Sequence, residues 1–282
     1  MLRQRVITAV ILLLIILWAL FLARPWVWGV LSLALMAAAG WEWGMLVAAG
    51  PQPQRGALRI TGAIVLAGLT YLAWRGHEGP ASAWLFGLLA LNLLSWIAMA
   101  VPAVLAARLD TAGRPAVAGG FAVISMLCVW ASIYELRLVH PVLVFSAMSI
   151  IWCADIGAYF FGRAFGKRKL AVRVSPGKSW EGAIGGLATV IVVAALAWWL
   201  HPQAPVLSSI LASRAGPLLT LLGLTLIVAL SIIGDLFESL LKRSRGVKDS
   251  GRLLPGHGGV LDRIDALVPT MPACLLLWKL LS

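Results

Sequence analysis

Asp235, Glu238, Ser239 and Lys242, in the stretch SIIGDLFESLLKRSRGVKDSGRLLPGHGGVLDRID, fall at i, i+3, i+4 and i+7. On a helix that spacing puts all four on one face, acid leading to hydroxyl and cation. Downstream, Asp262 and Asp265 stand three residues apart at the predicted first turn of the last apolar segment, where the helix dipole favours negative charge. One acid suffices to cap a helix, and Asp265 reads equally as that cap. Carboxylates on facing helix ends suit a magnesium ion that serves phosphates, because Mg²⁺ is held by one or two carboxylates together with phosphate oxygens and waters. Between the acids lie Lys242, Arg243, Arg245, Lys248 and Arg252, then PGHGG from Pro255 to Gly259. Gly256, Gly258 and Gly259 permit close backbone approach, so their N–H groups could cradle an anion, although a plain turn uses glycine too. His257 suits phosphate binding or proton movement; a loop histidine bonded to backbone is the plainer reading.

Two further groups carry polar residues into apolar surroundings. WCADIGAYFFGRAFGK places Asp155, Tyr159, Gly162 and Arg163 along one helical face, from a buried acid to a basic exit. In RKLAVRVSPGKSWEGAIGG, Ser175, Pro176, Gly177 and Lys178 are expected to form a turn and Ser179 to cap the next helix. Gly182 and Gly186, at GxxxG spacing, predict close packing of that helix on a neighbour. Lys178 and Glu181 read either as site residues or as solvated surface. Glu42 in AGWEWGM is a buried acid with no evident partner, which could line a cavity or pair with a distant basic residue.

The elements that must position these residues are membrane helices. The chain of 282 residues is 61% hydrophobic and 12% charged, against roughly 25% charged in soluble domains, which leaves no room for a sizeable soluble domain. The expected fold is all-α, a polytopic bundle of about nine transmembrane helices, near 6–23, 26–48, 57–74, 82–106, 117–136, 141–162, 182–200, 217–239 and 264–281. The first, behind Arg3 and Arg5, is too long for a signal peptide's apolar region and lacks a cleavage pattern, so it reads as a retained anchor. Pro269 and Pro272 are expected to kink the last span.

The formal charge of +12 does not point to nucleic acid, since no aromatic and basic interleaving or binding motif accompanies it. It reports orientation. Arg3, Arg5, Arg55, Arg59, Arg108, Arg114 and the two clusters Arg163 to Lys178 and Lys242 to Arg263 fall on one side; Arg24, Arg75, Arg137, Arg214 and Lys279 fall on the other. That asymmetry predicts a cytoplasmic amino terminus and a periplasmic carboxyl terminus. Cys128, Cys153 and Cys274 sit in apolar runs with no metal or disulfide spacing, and the 14 tryptophans suit interfacial belts and packing. The chain divides into an anchor part, 1–140, and a working part, 141–282, that carries the polar groups and the two basic loops.

The run Ser239, Lys242, Arg243, Lys248, Asp249, Pro255, His257, Gly258, Gly259, Asp262, Arg263, Asp265 resembles the signature of phosphatidate cytidylyltransferases. GDLFES, DIGAYFFGRAFGK and SPGKSWEG resemble the family's other motifs. The likeness covers residues 150–268, the first half matching only in hydropathy, and Ser179 stands where the family more often has threonine. The resemblance implies CTP plus phosphatidic acid giving CDP-diacylglycerol and pyrophosphate, at the cytoplasmic face of a bacterial inner membrane, with Mg²⁺, room for a second monovalent cation such as K⁺, and a homodimer as an option. It implies that Asp235 and Asp262 hold the metal. With them, Lys242, Arg243 and Lys248 are expected on phosphates, Ser239, Asp249, His257 and Asp265 in positioning roles, Gly258, Gly259, Arg263 and Lys178 on substrate, and Asp155 near lipid or metal. The alternatives are a related CTP-dependent lipid-phosphate or lipid-alcohol transferase and, outside enzymes, a secondary transporter using the buried acids.

Overall fold

Pro25, Pro53, Pro115 and Pro141 are each the first residue of a helix, where a missing N–H costs nothing and φ is preset. A computed structural model describes residues 2–48, 52–75, 83–109 and 115–281. In order they form α1 (Leu2–Phe21), α2 (Pro25–Val47), α3 (Pro53–Arg75) and α4 (Ala83–Ser95), which runs through a π turn (Trp96–Ala100) into α5 (Val101–Ala106). Then come α6 (Pro115–Val139), α7 (Pro141–Phe165), strands β1 (Lys169–Ala171) and β2 (Ser175–Ser179), α8 (Trp180–Leu200), α9 (Leu207–Ser244), α10 (Leu261–Ile264) and α11 (Leu267–Leu281).

Among the described residues eight helical segments are long and apolar enough to cross a bilayer, taking α4 to α5 as one and α10 with α11 as another. With α1, 20 residues long, the candidates number nine, as expected for an all-α polytopic bundle. Residue 82 of the fourth expected span, Arg114 and Ser282 lie outside the described residues. α9 holds two helices joined at Gly216, whose φ of 80° only glycine adopts freely, so the helix from Pro217 on begins where the eighth span was expected and a shorter one precedes it. Large apolar side chains such as Leu22, Leu66, Leu105, Phe160 and Trp199 face outward, the surface a hydrocarbon solvent accepts.

Two corrections concern the site region. Residues 175–178 are not a turn: β2 pairs antiparallel with β1, Lys169 opposite Ser179 and Ala171 opposite Ser175, as a ribbon between α7 and α8. The turn residues of SPGK were outweighed by the ladder they complete with KLA. The last span does not start at one continuous first turn either. Asp262 sits in the short α10 and Asp265 caps its end before α11 begins.

Interior packing fixes the helices that carry the acids. A Cβ on Gly182 would lie 2.8 Å from the Ala158 carbonyl oxygen, and one on Gly186 2.6 Å from that of Ala154, so the glycines let α8 touch the α7 backbone as their spacing predicted. We expect Gly186→Val to separate the pair, losing roughly 1–3 kcal/mol, read as an earlier thermal unfolding transition in detergent. On the other flank Trp43 of α2, Trp96, Phe121 of α6 and Phe237 of α9 interlock with ring centroids 5.2–6.2 Å apart. Behind them the Trp96 indole donates to Ser125 (3.1 Å), whose hydroxyl donates to Asn92 Oδ1 (3.2 Å), a polar relay between helices that leaves Asn92 Nδ2 unpaired.

The alternation of helices gives the bundle two ends. At one, Arg245 after α9 donates from Nε to the Leu46 carbonyl (2.6 Å) and from Nη2 to that of Ala48, satisfying carbonyls left open at the end of α2. At the other, Tyr71 and Arg75 of α3 bind Glu135 of α6 at 2.6 and 2.8 Å, and Arg137 donates to the Ala23 carbonyl. Arg163, the ribbon, Lys242 and Asp262 therefore share the end that holds Leu46, as the charge asymmetry requires of one side.

Candidate functional site

At that end a cavity of about 600 Å³ opens between α7, the ribbon, α8, α9 and α10. Asp155, Tyr159, Gly162 and Arg163 line it together, so the face read from α7 is the face the fold uses. Asp235, Asp262 and Asp265 line it from α9 and the α10 region. Ser175, Gly177, Lys178 and Ser179 come from β2. The ribbon thus carries Lys178 inward, where its Nζ lies 2.6 Å from Asp235 Oδ2. Ser179 does cap α8, accepting from the Gly182 N–H at 3.2 Å. Glu181 accepts the backbone N–H groups of Lys167 and Arg168 at 3.1 Å, tying the end of α7 to the start of α8.

The stripe on α9 divides its duties. Asp235 turns to the cavity, and Ser239 reaches its Oδ1 at 3.4 Å. Glu238 does not line the cavity; it is 3% exposed, packed beside it among Trp43, Trp96, Phe237 and Leu261. Neither Glu238 oxygen has a hydrogen bond of ordinary geometry; the Lys242 ammonium, 2.5 Å from Oε2, is its compensation. The same Nζ donates to Asp262 Oδ1 at 2.7 Å, so one cation joins two acids that sit on different helices.

Asp262 is held more tightly than a capping residue needs. Its Oδ2 accepts from the Ser250 N–H (2.9 Å), the Ser250 hydroxyl (3.0 Å) and the Gly259 N–H (2.8 Å). The two N–H groups hold that oxygen, helped by a hydroxyl whose one proton is shared with Glu42 Oε2, while Oδ1 takes the Lys242 ammonium. Gly258 adopts φ of 85° to bring Gly259 round, and a Cβ there would also come 2.9 Å from Asp262 Oδ2. Of the PGHGG glycines, Gly258 turns the backbone round the Asp262 carboxylate and Gly259 gives it an N–H, so that N–H serves a protein anion. Asp265 accepts from the Ala266 N–H at 2.7 Å, the cap-like contact its position allowed.

The other expected residues do not line the cavity. Arg243, Lys248 and Asp249 are exposed, and among the described residues none forms an ion pair. His257 keeps its ring 3.4 Å from the Pro255 carbonyl oxygen, and Arg263 donates to the His257 carbonyl at 2.8 Å, so both help to close the loop. Glu42 and Ser250 were not found as site residues. Ser250 carried no sequence signal beyond its place in the basic loop. Glu42 was visible as a buried acid, but its partners lie far along the chain: the Ser250 hydroxyl at 2.9 Å and the N–H groups of Val260 and Leu261 at 3.1 and 2.8 Å.

What the cavity can hold follows from its charge. Four carboxylates, Asp155, Asp235, Asp262 and Asp265, face two cations, Lys178 and Arg163. A phosphate entering such a space meets repulsion unless a further cation is present. Among the described residues no three His, Cys, Asp or Glu side chains are grouped to hold a metal by themselves. The donor set is hard oxygen from two helices, and it suits an ion that takes part of its ligands from a phosphate. Lysine ammonium groups stand 2.6 Å from Asp235 Oδ2 and 2.7 Å from Asp262 Oδ1.

Against one wall opens a second cavity of about 460 Å³, lined by apolar residues such as Val104, Leu105, Ala229 and Ile233, with Arg173 at its edge. Leu170, Ala183 and Ile232 line both spaces, so a charged chamber and an oily one share a partition.

The sequence profile of the Cytidylyltransferase family matches residues 3–281. A phosphatidate cytidylyltransferase of Pseudomonas aeruginosa is 40% identical over 291 residues, covering 99% of this chain and 97% of that protein. One from Haemophilus influenzae is 38% identical over 289 residues, 96% of each. A Bacillus subtilis protein of the same name is 43% identical over 140 residues, 49% of this chain and 48% of its own length.

Proposed function

The chain belongs to the cytidylyltransferase family, and we propose from that premise that it is a phosphatidate cytidylyltransferase, converting CTP and phosphatidic acid to CDP-diacylglycerol and pyrophosphate. The observation that carries the reading is the convergence of four carboxylates and two cations in one cavity at one end of a membrane bundle, next to an apolar space.

Phosphatidate brings its own nucleophile, an ionised phosphate oxygen, so the protein needs no strong base. That oxygen bonds to the α-phosphorus of CTP as the bond to the β-phosphate oxygen breaks, and pyrophosphate leaves with the electron pair. The obstacle is the meeting of two anions. Asp235 and Asp262 would hold Mg²⁺, which supplies positive charge to the triphosphate and its leaving group. A second, monovalent cation would find Asp155 and Asp265 as the cavity's remaining carboxylates. With the carboxylates engaged, Lys178 is free to turn to phosphate oxygens and Lys242, still held by Glu238, adds its charge to them, while the exposed Arg243 and Lys248 guide the nucleotide in. Ser239, Asp249, His257, Gly258, Gly259 and Arg263 hold the loop and its acids in place. In this reading residues 1–140 anchor and brace, 141–282 do the chemistry, the site faces the cytoplasm of a bacterial inner membrane, and a homodimer is compatible with it.

The apolar cavity is the proposed seat of an acyl chain, because a headgroup in the charged chamber would leave its glycerol near Leu170, Ala183 and Ile232. Ala229→Trp should fill that seat and raise KM for long-chain phosphatidate about tenfold, with KM for CTP within about twofold of the parent, since losing the burial of two methylenes already amounts to roughly 1.6 kcal/mol. Equal effects on both substrates would remove the acyl assignment.

The test of the whole reading is pyrophosphate release by purified protein given labelled CTP and a panel of lipid acceptors. Release is expected only with Mg²⁺ and phosphatidate together. Preference for a lipid alcohol or another lipid phosphate would move the assignment to a sister transferase.

A further inference from the structure

Glu42 is an acid from the anchor part of the chain, 2% exposed, on a helix that contributes no residue to the main cavity. No lysine or arginine pairs with it among the described residues. Yet three donors converge on it. Oε1 accepts the Val260 N–H at 3.1 Å; Oε2 accepts the Leu261 N–H at 2.8 Å and the Ser250 hydroxyl at 2.9 Å. Val260 and Leu261 open α10, whose first N–H groups have no partner within the helix, and a buried carboxylate is a strong acceptor for them. Space has been cleared for it as well. A Cβ on Gly251 would lie 2.2 Å from Glu42 Oε1, and one on Gly259 2.4 Å from Oε2. Neither glycine has a positive φ, so both are small for space: Gly251 for Glu42, and Gly259 for the Ser250 hydroxyl together with Glu42.

The Ser250 hydroxyl lies between two carboxylates, 2.9 Å from Glu42 Oε2 and 3.0 Å from Asp262 Oδ2. Glu42 thereby grips both ends of the loop that wraps Asp262: Ser250 at its start, Val260 and Leu261 at its close. Arg245 adds a second tie by binding the end of the same helix, α2.

We propose that Glu42 is a positioning residue for the site: from α2 it clamps the 250–261 loop and, through Ser250, sets the direction of the Asp262 carboxylate. The effect on turnover rests on Asp262 being a metal carboxylate; the grip on the loop does not.

Glu42→Gln keeps the shape but replaces one acceptor oxygen by an NH₂ that faces a donor, and Ser250→Ala removes only the bridge. Both are made in the full chain purified in detergent, with thermal unfolding followed alongside. Three readouts are taken. Trypsin cleavage after the exposed Lys248 and Arg252 should speed up about tenfold in Glu42→Gln; unchanged cleavage overturns the clamp. The Mg²⁺ concentration for half-maximal pyrophosphate release should rise about 10- to 100-fold in Glu42→Gln and by less in Ser250→Ala. A purely structural role would lower the active fraction and leave that concentration in place, which overturns the positioning role. In an Asp262→Asn background, Glu42→Gln should cost less than about threefold more; fully multiplicative losses overturn action through Asp262. If Glu42→Gln does not fold, Ser250→Ala alone decides, by the Mg²⁺ shift and the same cycle. Normal activity of Asp262→Asn by itself would instead sink the proposed function, while the trypsin result would still judge the clamp.

Discussion

Asp262→Asn is expected to lower pyrophosphate release from CTP on the order of 10³-fold, and Asp235→Asn to do the same, with both proteins still folded. The two carboxylates line one cavity from different helices, each with an oxygen faced by a lysine 2.6–2.7 Å away, so neither substitutes for the other. For Asp262 the swap has a second consequence. Oδ2 accepts from Ser250 and Gly259, so an amide must either keep its oxygen there and offer NH₂ to Lys242, or turn NH₂ against three donors. The control is Arg243→Ala, an exposed cation that does not line the cavity, which should cost less than about tenfold. The reverse ranking, graded losses on removing basic residues and indifference to the acids, would mean that the loops only bind anionic lipid. Persistence of pyrophosphate release in both aspartate variants would end the catalytic reading.

Lys242→Met is the second large effect, and it separates stability from catalysis. The Lys242 side chain is 16% exposed, and its partners Glu238 and Asp262 are 4% and 7% exposed. Removing the cation leaves the buried Glu238 uncompensated and Asp262 with only its loop donors, a loss of roughly 3–5 kcal/mol when a buried pair is broken from one side. Turnover should fall as well, because the ammonium is then missing from the phosphates. Adding Glu238→Gln removes the buried charge that has no other partner, so the double variant should regain most of the thermal stability of the parent. It should not regain turnover. Recovery of both would make Lys242 a structural cation with no part in the reaction, whereas a Lys242→Met protein that melts normally would show that the pair is not buried in the bilayer-embedded protein.

The spans and the acids that line the cavity were legible in the residues. Apolar runs of about 20 and the one-sided basic loops need no tertiary information, because the bilayer selects on local composition. Proline at four helix starts and glycine at GxxxG spacing likewise act within or next to their own segment. The i, i+3, i+4, i+7 stripe on α9 was correct as a helical face, but it was the packing around Trp43 and Trp96 that turned Glu238 inward and left Asp235 for the cavity. The SPGK segment looked like a turn because turn propensity is a local property, while the strand it forms depends on pairing with KLA. Glu42 shows the limit most clearly. Its type and burial were visible, but its partner Ser250 is 208 residues away, and no periodicity reports which helix end will meet which loop. Local chemistry chose the helices and the charged residues; helix packing across the bundle chose which acids share a cation, which face a cavity, and which brace the loop from behind.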